Sequence, residues 1–135
     1  VPAVFHERMI PLAKLFYALE ETGQLDTLHD KVYAAIHRDG AKLFDRESIV
    51  RWVAEQPGAD ARKFEAAFDS FSVGNKVQRA IQLTRGFKVP GTPYVAVNGQ
   101  YLTGPSMTLN ANGGVDVRRF QQVLNSLIDL ARRKA

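Results

Sequence analysis

Apolar residues recur at helical spacing through most of the first 85 residues of the chain. Between about Pro11 and Thr22 they lie three and four residues apart, which predicts an amphipathic helix. Pro11 suits the first turn of that helix, and Gly23 suits its end. The same spacing predicts four further helices, at about 25–38, 46–56, 60–71 and 73–85.

Local signals place the ends and the buried faces of these helices. Asp45 and Asp60 stand where an N-cap is expected. Phe44 and Ile49 have the spacing of a hydrophobic staple across the first of these caps. In the next helix one apolar stripe is predicted to face the core rather than a ligand. Its members are Phe64, Ala67, Phe68 and Phe71.

The pattern changes at both ends of this helical block. Residues 1–5, "VPAVF", are short and apolar and predict the end of an extended strand. Two β runs flank Asn98-Gly99, the favoured centre of a two-residue hairpin turn. The stretch "GPSMTLNANGG" predicts a loop, and 116–133 predicts a last helix. The sequence therefore predicts an α/β chain that is mainly α: a strand, about five helices, a hairpin and a helix.

Charge is unevenly distributed but does not favour a nucleic-acid surface. Residues 1–80 carry 11 Lys and Arg against 12 Asp and Glu, and residues 81–135 carry 7 against 2. Three of those seven, Arg132, Arg133 and Lys134, lie where cations favour a helix C-terminus. Because no basic block alternates with stacking aromatics, no nucleic-acid partner is expected.

The composition also limits the chemical groups that the chain can use for catalysis or metal binding. The 135 residues include no cysteine, so the chain offers no disulfide, no thiolate nucleophile and no cysteine-bound metal. His6, His29 and His37 lack the spacing of metal ligands. No metal and no cofactor are expected, and no apolar run is long enough for a membrane helix.

The stretch "VPGTPYVAVNGQY", residues 89–101, is the one candidate for a site. Pro93 begins a β run, where a missing N–H matters least, and it restricts Thr92 to an extended conformation. X-Pro bonds adopt the cis form at modest cost, and a cis Thr92–Pro93 bond is predicted here. The backbone of Thr92 would then be free at a sheet edge, where an extended peptide can bind. From the residues alone, a plain loop-to-strand junction is the simpler interpretation.

The same stretch resembles the cis-proline loop and hairpin of DsbA-type thiol:disulfide oxidoreductases, through its pattern G-T-P-x-x-x-V-N-G. These proteins have a thioredoxin fold with an inserted helical domain, and the resemblance covers the whole chain in order. It implies that residues 1–4 end a thioredoxin-fold strand and that 5–80 form the inserted domain. Within that domain, "FEAAFDSFSV" resembles the segment before the long connecting helix. Residues 81–135 are then the second half of the thioredoxin-like domain.

The resemblance has consequences for the site. The C-x-x-C dithiol of the family belongs to the first thioredoxin half, which has no counterpart here, so the chain is interpreted as a redox-inactive fragment without catalytic residues. Pro93 matches the proline that faces the dithiol, and Thr92 matches the residue whose backbone contacts bound peptide. Gly91, Thr92 and Pro93 are therefore the predicted substrate-binding residues.

The family also implies a biological setting. The parent protein is expected in the periplasm, where it would oxidise reduced or unfolded exported polypeptides and be reoxidised by a membrane partner. Two alternatives stay open: a kappa-class glutathione transferase or isomerase on the same scaffold, and a non-enzymatic peptide-binding module. The unpaired hairpin edge further predicts dimerisation or strand exchange.

Overall fold

The computed structural model describes residues 1–134, and the chain divides into two compact units, Val1–Thr84 and Arg85–Ala135. The five helices, the hairpin and the sixth helix follow one another as predicted, but the strand predicted at residues 1–5 is absent. The helices are α1 (Ile10–Glu21), α2 (Leu25–His37), α3 (Arg46–Ala54), α4 (Ala61–Phe68), α5 (Phe71–Gly86) and α6 (Val117–Arg133), and the strands are β1 (Val95–Val97) and β2 (Tyr101–Thr103). Two short 3-10 helices lie at Glu7–Met9 and Pro105–Met107.

The predicted caps are present at the starts of α3 and α4. The Asp45 carboxylate accepts from the backbone N–H of Ser48 at 2.8 Å, and the Ser48 hydroxyl accepts from the N–H of Asp45 at 3.4 Å. The hydrogen bond from the Ser48 N–H lowers the pKa of Asp45, because it favours the ionised carboxylate. The Asp60 carboxylate accepts from Lys63 N–H at 3.0 Å. Both caps satisfy donors that a helix start leaves free.

Replacing Asp60 by alanine should lower the free energy of unfolding by about 1 kcal/mol, because the Lys63 N–H at the start of α4 loses its acceptor. Asp60→Asn is the matched control, since asparagine caps about as well as aspartate. Urea titration followed by circular dichroism measures the difference. Equal losses in the two variants would show that the side-chain charge, and not the cap, stabilises α4.

The core of the first unit is built from the apolar faces of α1 to α5. Its most deeply buried large side chains are Leu15, Leu19, Leu28, Ile49, Val53, Phe64, Val73 and Val77. Two predictions about this core are wrong. Phe71 is 84 % exposed, since α4 ends at Phe68 and Phe71 opens α5 in a new helical phase. Phe44 is 67 % exposed, so its predicted pairing with Ile49 does not bury it.

Residues 1–5 carry no strand in the structure. A strand needs a hydrogen-bonded neighbour, and in residues 1–134 the one sheet consists of β1 and β2. Instead, the buried N–H of Val4 donates to the Thr84 hydroxyl at 3.1 Å, and that hydroxyl donates to the Ala80 carbonyl at 2.8 Å. A side chain of α5 therefore anchors the segment before α1.

Charged pairs join the helices of the first unit at its surface. Arg46 in α3 donates to Glu65 at 2.8 Å and, through Nε, to Asp69 at 3.0 Å. The guanidinium lowers the pKa of Asp69. Lys76 in α5 donates to Glu20 at 3.0 Å, which raises the pKa of the lysine. Because these side chains are roughly half exposed, each pair adds little stability.

The second unit consists of the hairpin, the loop after it and α6. In the antiparallel pair Val97 lies opposite Tyr101, so three residues connect the strands rather than the predicted two. The turn itself is as predicted: Asn98 and Gly99 have φ of 50° and 68°. The Gln100 N–H closes the turn by donating to the Val97 carbonyl at 3.1 Å. Gln100 is also the third connecting residue, which the sequence did not predict.

Helix α6 leaves much of its apolar face accessible. The Asp116 carboxylate caps the helix by accepting from Arg119 N–H at 2.9 Å. Phe120, Leu124 and Leu127, which the spacing places on the inner face, are only partly buried, and Val117 is 67 % exposed. Of residues 85–134, only Thr103, Gly104, Thr108 and Ala131 are buried. This unit therefore lacks the large buried side chains that form the core of the first.

Candidate functional site

The predicted site lies in the loop that leads from α5 into β1. The Thr92–Pro93 peptide bond is cis, as the sequence predicts. Thr92 and Pro93 are exposed, and Gly91 is partly buried. Lys88, near the start of the loop, has a φ of 50°, which turns the chain after α5. The three predicted residues therefore stand together on an accessible segment directly before the strand.

The backbone of this segment is available to a ligand. Within residues 1–134, neither the N–H nor the C=O of Thr92 takes part in a hydrogen bond. The sheet has two strands, so β1 pairs with β2 on one side only. Main-chain donors and acceptors along such an edge can pair with an extended polypeptide. The same open edge is what dimerisation or strand exchange would use, and that association stays a prediction.

Close contacts with Gly104 hold Pro93 and Tyr94 in place. Gly104 follows β2 and is buried, and a Cβ built on it would lie 2.9 Å from the Pro93 carbonyl oxygen and 2.9 Å from two ring carbons of Tyr94. At the far end of that ring, the Tyr94 hydroxyl and the Ser106 hydroxyl are 3.0 Å apart and hydrogen bonded. The segment after β2 therefore supports the segment before β1.

The loop after the hairpin is ordered by its own polar groups. Asn110 Oδ1 accepts from the N–H groups of Asn112 at 3.0 Å and Gly114 at 2.9 Å. The Thr108 carbonyl accepts from Asp116 N–H at 2.8 Å, which joins the loop to the cap of α6. The "GPSMTLNANGG" segment, expected as a loop, thus contains a 3-10 helix and a bridge between Leu109 and Val115.

Sequence reasoning missed Gly104, Tyr94 and Ser106. The available signal was the glycine directly after an apolar β run in "YLTGPS", because glycine in a strand often marks a close backbone approach. Its contact partner lies eleven residues earlier in the chain, at Pro93. The contact continues the register of the hairpin: Val95 lies opposite Thr103, so Tyr94 lies opposite Gly104. The two-residue connection predicted from the sequence would have placed Tyr94 opposite Thr103 instead.

Neither a metal site nor a membrane-spanning helix is found among the described residues. Across residues 1–134, no group of three or more histidine, aspartate or glutamate side chains is arranged to hold a metal ion. In the same residues, no helix combines the length and the apolar character needed to cross a membrane. What the loop does offer is accessible backbone in a fixed position.

Comparison with known proteins identifies the family and the fold of the chain. The model of the DSBA-like thioredoxin domain matches residues 1–125. Thiol:disulfide interchange protein DsbA of Bordetella parapertussis is 44% identical over 114 residues, which are 84% of this chain and 54% of that protein. The protein of the same name from Burkholderia cepacia is 33% identical over 120 residues, covering 89% and 56%.

Solved structures give the same result. The crystal structure of Pseudomonas aeruginosa DsbA superimposes with a TM-score of 0.82 at 27% identity, over 99% of this chain and 67% of that one. The chain spans about half the length of the curated relatives it matches.

A helical unit followed by a hairpin with a cis-proline at its entrance and a final helix defines a thioredoxin-type fold with a helical insertion. The chain belongs to the DSBA-like thioredoxin domain family.

Proposed function

We propose that this chain supplies the polypeptide-binding half of a DsbA-type thiol:disulfide oxidoreductase. The observation that carries the proposal is the accessible, unpaired backbone of Thr92, beside Pro93 and at the entrance to the one-sided strand β1. Gly91, Thr92 and Pro93 contact the bound polypeptide, mainly through the main chain. The 44% identity to a thiol:disulfide interchange protein supports the same assignment.

The redox chemistry itself lies outside these 135 residues. Disulfide exchange proceeds by attack of a thiolate on a disulfide sulfur, through a mixed disulfide, and the chain has no cysteine. The dithiol must therefore come from another segment of a parent protein. In this proposal residues 1–4 end a strand of the parent fold, 5–80 form the helical insertion, and 81–135 form the second half of the thioredoxin-like domain.

The parent acts in the periplasm, where it oxidises cysteines of exported polypeptides to disulfides and passes the electrons to a membrane partner. The relatives' name, thiol:disulfide interchange protein, supports the disulfide chemistry of this proposal. The presence of a C-x-x-C sequence upstream in the parent gene is the direct check. An upstream sequence without a cysteine pair would contradict the oxidoreductase proposal and favour a peptide-binding module.

The isolated chain should not catalyse thiol oxidation. We expect the rate of disulfide formation in a reduced dithiol peptide to equal the rate in buffer, with a cysteine-containing DsbA relative as the positive control. Catalysis above the buffer rate would contradict the assignment of the dithiol to another segment.

Polypeptide binding tests the half-site directly. The probe is an unfolded polypeptide whose cysteines are carboxymethylated, so that no mixed disulfide is needed. We expect it to displace the amide resonance of Thr92 in the full chain, and we expect glutathione to leave that resonance unchanged. Displacement by glutathione alone would instead support a glutathione-dependent enzyme on this scaffold.

A further inference from the structure

We propose that Gly104 is a positioning residue: its missing side chain, together with the Tyr94–Ser106 hydrogen bond, sets where the Pro93 carbonyl stands and so aligns the polypeptide-binding backbone. The inference rests on the proposed function and deepens it. It assigns a role in polypeptide recognition to three residues, two of which, Gly104 and Ser106, lie beyond the cis-proline loop itself.

The requirement for glycine at position 104 is one of space. Gly104 has φ −155° and ψ 161°, an extended conformation that any residue adopts. A Cβ there would lie 2.9 Å from the Pro93 carbonyl oxygen, and ordinary contact begins at 3.4 Å, so one of the two backbones must move by about 0.5 Å. Because one partner is main chain, rotating a side chain cannot relieve the clash.

Gly104 itself is not free to move away. It begins the 3-10 turn Pro105–Met107, and its carbonyl accepts from Met107 N–H at 2.9 Å. The buried Thr108 closes that turn through its hydroxyl, which donates to the Pro105 carbonyl at 3.0 Å. An added Cβ at position 104 would therefore displace the accessible Thr92–Pro93 segment, while the hydrogen-bonded turn stays in place.

The Tyr94–Ser106 hydrogen bond holds the same segment at a second point. The Tyr94 ring lies against Gly104, and its hydroxyl is held by Ser106 at 3.0 Å. Hydrogen bonds to an added polypeptide need donor–acceptor distances of about 2.7–3.2 Å. A backbone shift of half an ångström is large on that scale, so binding should respond to it strongly.

The experiment compares Gly104→Ala with Gly86→Ala in the full chain. Both changes add one methyl group to a glycine that does not have a positive φ. At Gly86, however, the added carbon meets no atom within 4 Å outside its chain neighbours and the backbone of its own helix. The carboxymethylated unfolded polypeptide is the probe, and its Kd is measured by titration. We expect at least tenfold weaker binding for Gly104→Ala, with a displaced Thr92 amide resonance, and unchanged binding for Gly86→Ala.

A second pair of variants separates positioning from a general loss of stability. Ser106→Ala removes the hydrogen-bond partner of the Tyr94 hydroxyl and should weaken binding about two- to fivefold, because the Tyr94 segment is then held less firmly before the polypeptide binds. The titration is run where circular dichroism shows the variant fully folded, since the lost hydrogen bond also lowers stability somewhat. Ser106→Thr keeps the hydroxyl and should restore wild-type binding. These variants give the answer even if Gly104→Ala disrupts the second unit.

The outcomes distinguish the proposed polypeptide-binding function from the positioning role of Gly104. Failure of the wild-type chain to bind the probe would overturn the proposed function, and the inference with it. Wild-type binding that persists unchanged in both Gly104→Ala and Ser106→Ala would overturn the inference alone. Weakened binding in Ser106→Ala with rescue by Ser106→Thr supports the positioning role.

Discussion

Truncating Phe64 to alanine should lower the free energy of unfolding by about 3–5 kcal/mol, the cost of removing a large aromatic side chain from a packed core. Phe64 is 0 % exposed and lies in the middle of α4, which packs on α1. The nearby Phe68 ring, 5.8 Å away between centroids, loses a packing partner in the same change. An effect of this size is a large part of the stability of a small domain.

Phe71→Ala is the matched control, because it makes the same substitution seven residues later. Phe71 is 84 % exposed, so its truncation should change stability by no more than about 0.5 kcal/mol. Urea unfolding followed by far-ultraviolet circular dichroism measures both. If the two variants lost equal stability, the end of α4 at Phe68 and the outward position of Phe71 would be wrong.

Replacing Thr84 by valine should lower the free energy of unfolding by about 1–3 kcal/mol, although the two side chains have nearly the same shape. Valine cannot accept the hydrogen bond that the Val4 N–H donates to the Thr84 hydroxyl. Val4 is 5 % exposed, so its N–H would be left without a partner away from water. The cost is that of a buried, unsatisfied donor.

Thr84→Ser provides the control, since serine keeps the hydroxyl and loses one methyl group. We expect hydrogen exchange at the Val4 amide to be much faster in Thr84→Val than in Thr84→Ser. Equal exchange in the two variants would show that the segment before α1 is held by apolar packing rather than by this bond. The pair therefore tests why residues 1–5 are ordered without a sheet partner.

Most of the helical unit could be predicted because its signals are local. A cap such as Asp60 acts on an N–H three residues away, and a turn such as Asn98-Gly99 depends on the φ preferences of two adjacent residues. The apolar positions of α1 to α5 repeat within each helix, so the buried faces can be identified without knowing what they pack against. Phe71 was misplaced because the short break at Asp69-Ser70 carries no strong stop signal.

The candidate site was predictable in part. The proline, the threonine before it and the β run after them are contiguous, and they point to an accessible junction with an available backbone. The role of Gly104 was missed because the predicted two-residue connection shifts the register of the hairpin by one residue, and the observed register places Tyr94 opposite Gly104. Ser106 lies beyond the strands, and no local pattern indicates its hydrogen bond with Tyr94.

The sequence by itself determined the starts of α3 and α4, the hairpin turn, the location of the cis Thr92–Pro93 bond and, through the absence of cysteine, that no thiol chemistry resides in these residues. Each of these follows from residue type or from interactions over a few positions. Only the tertiary structure decided that residues 1–5 form no strand, that Val4 instead donates a hydrogen bond to Thr84 of α5, and that Gly104 lies against Pro93. These outcomes depend on which segments the fold brings together. A buried backbone N–H needs an acceptor close by, and a glycine is needed only where another group approaches its backbone closely.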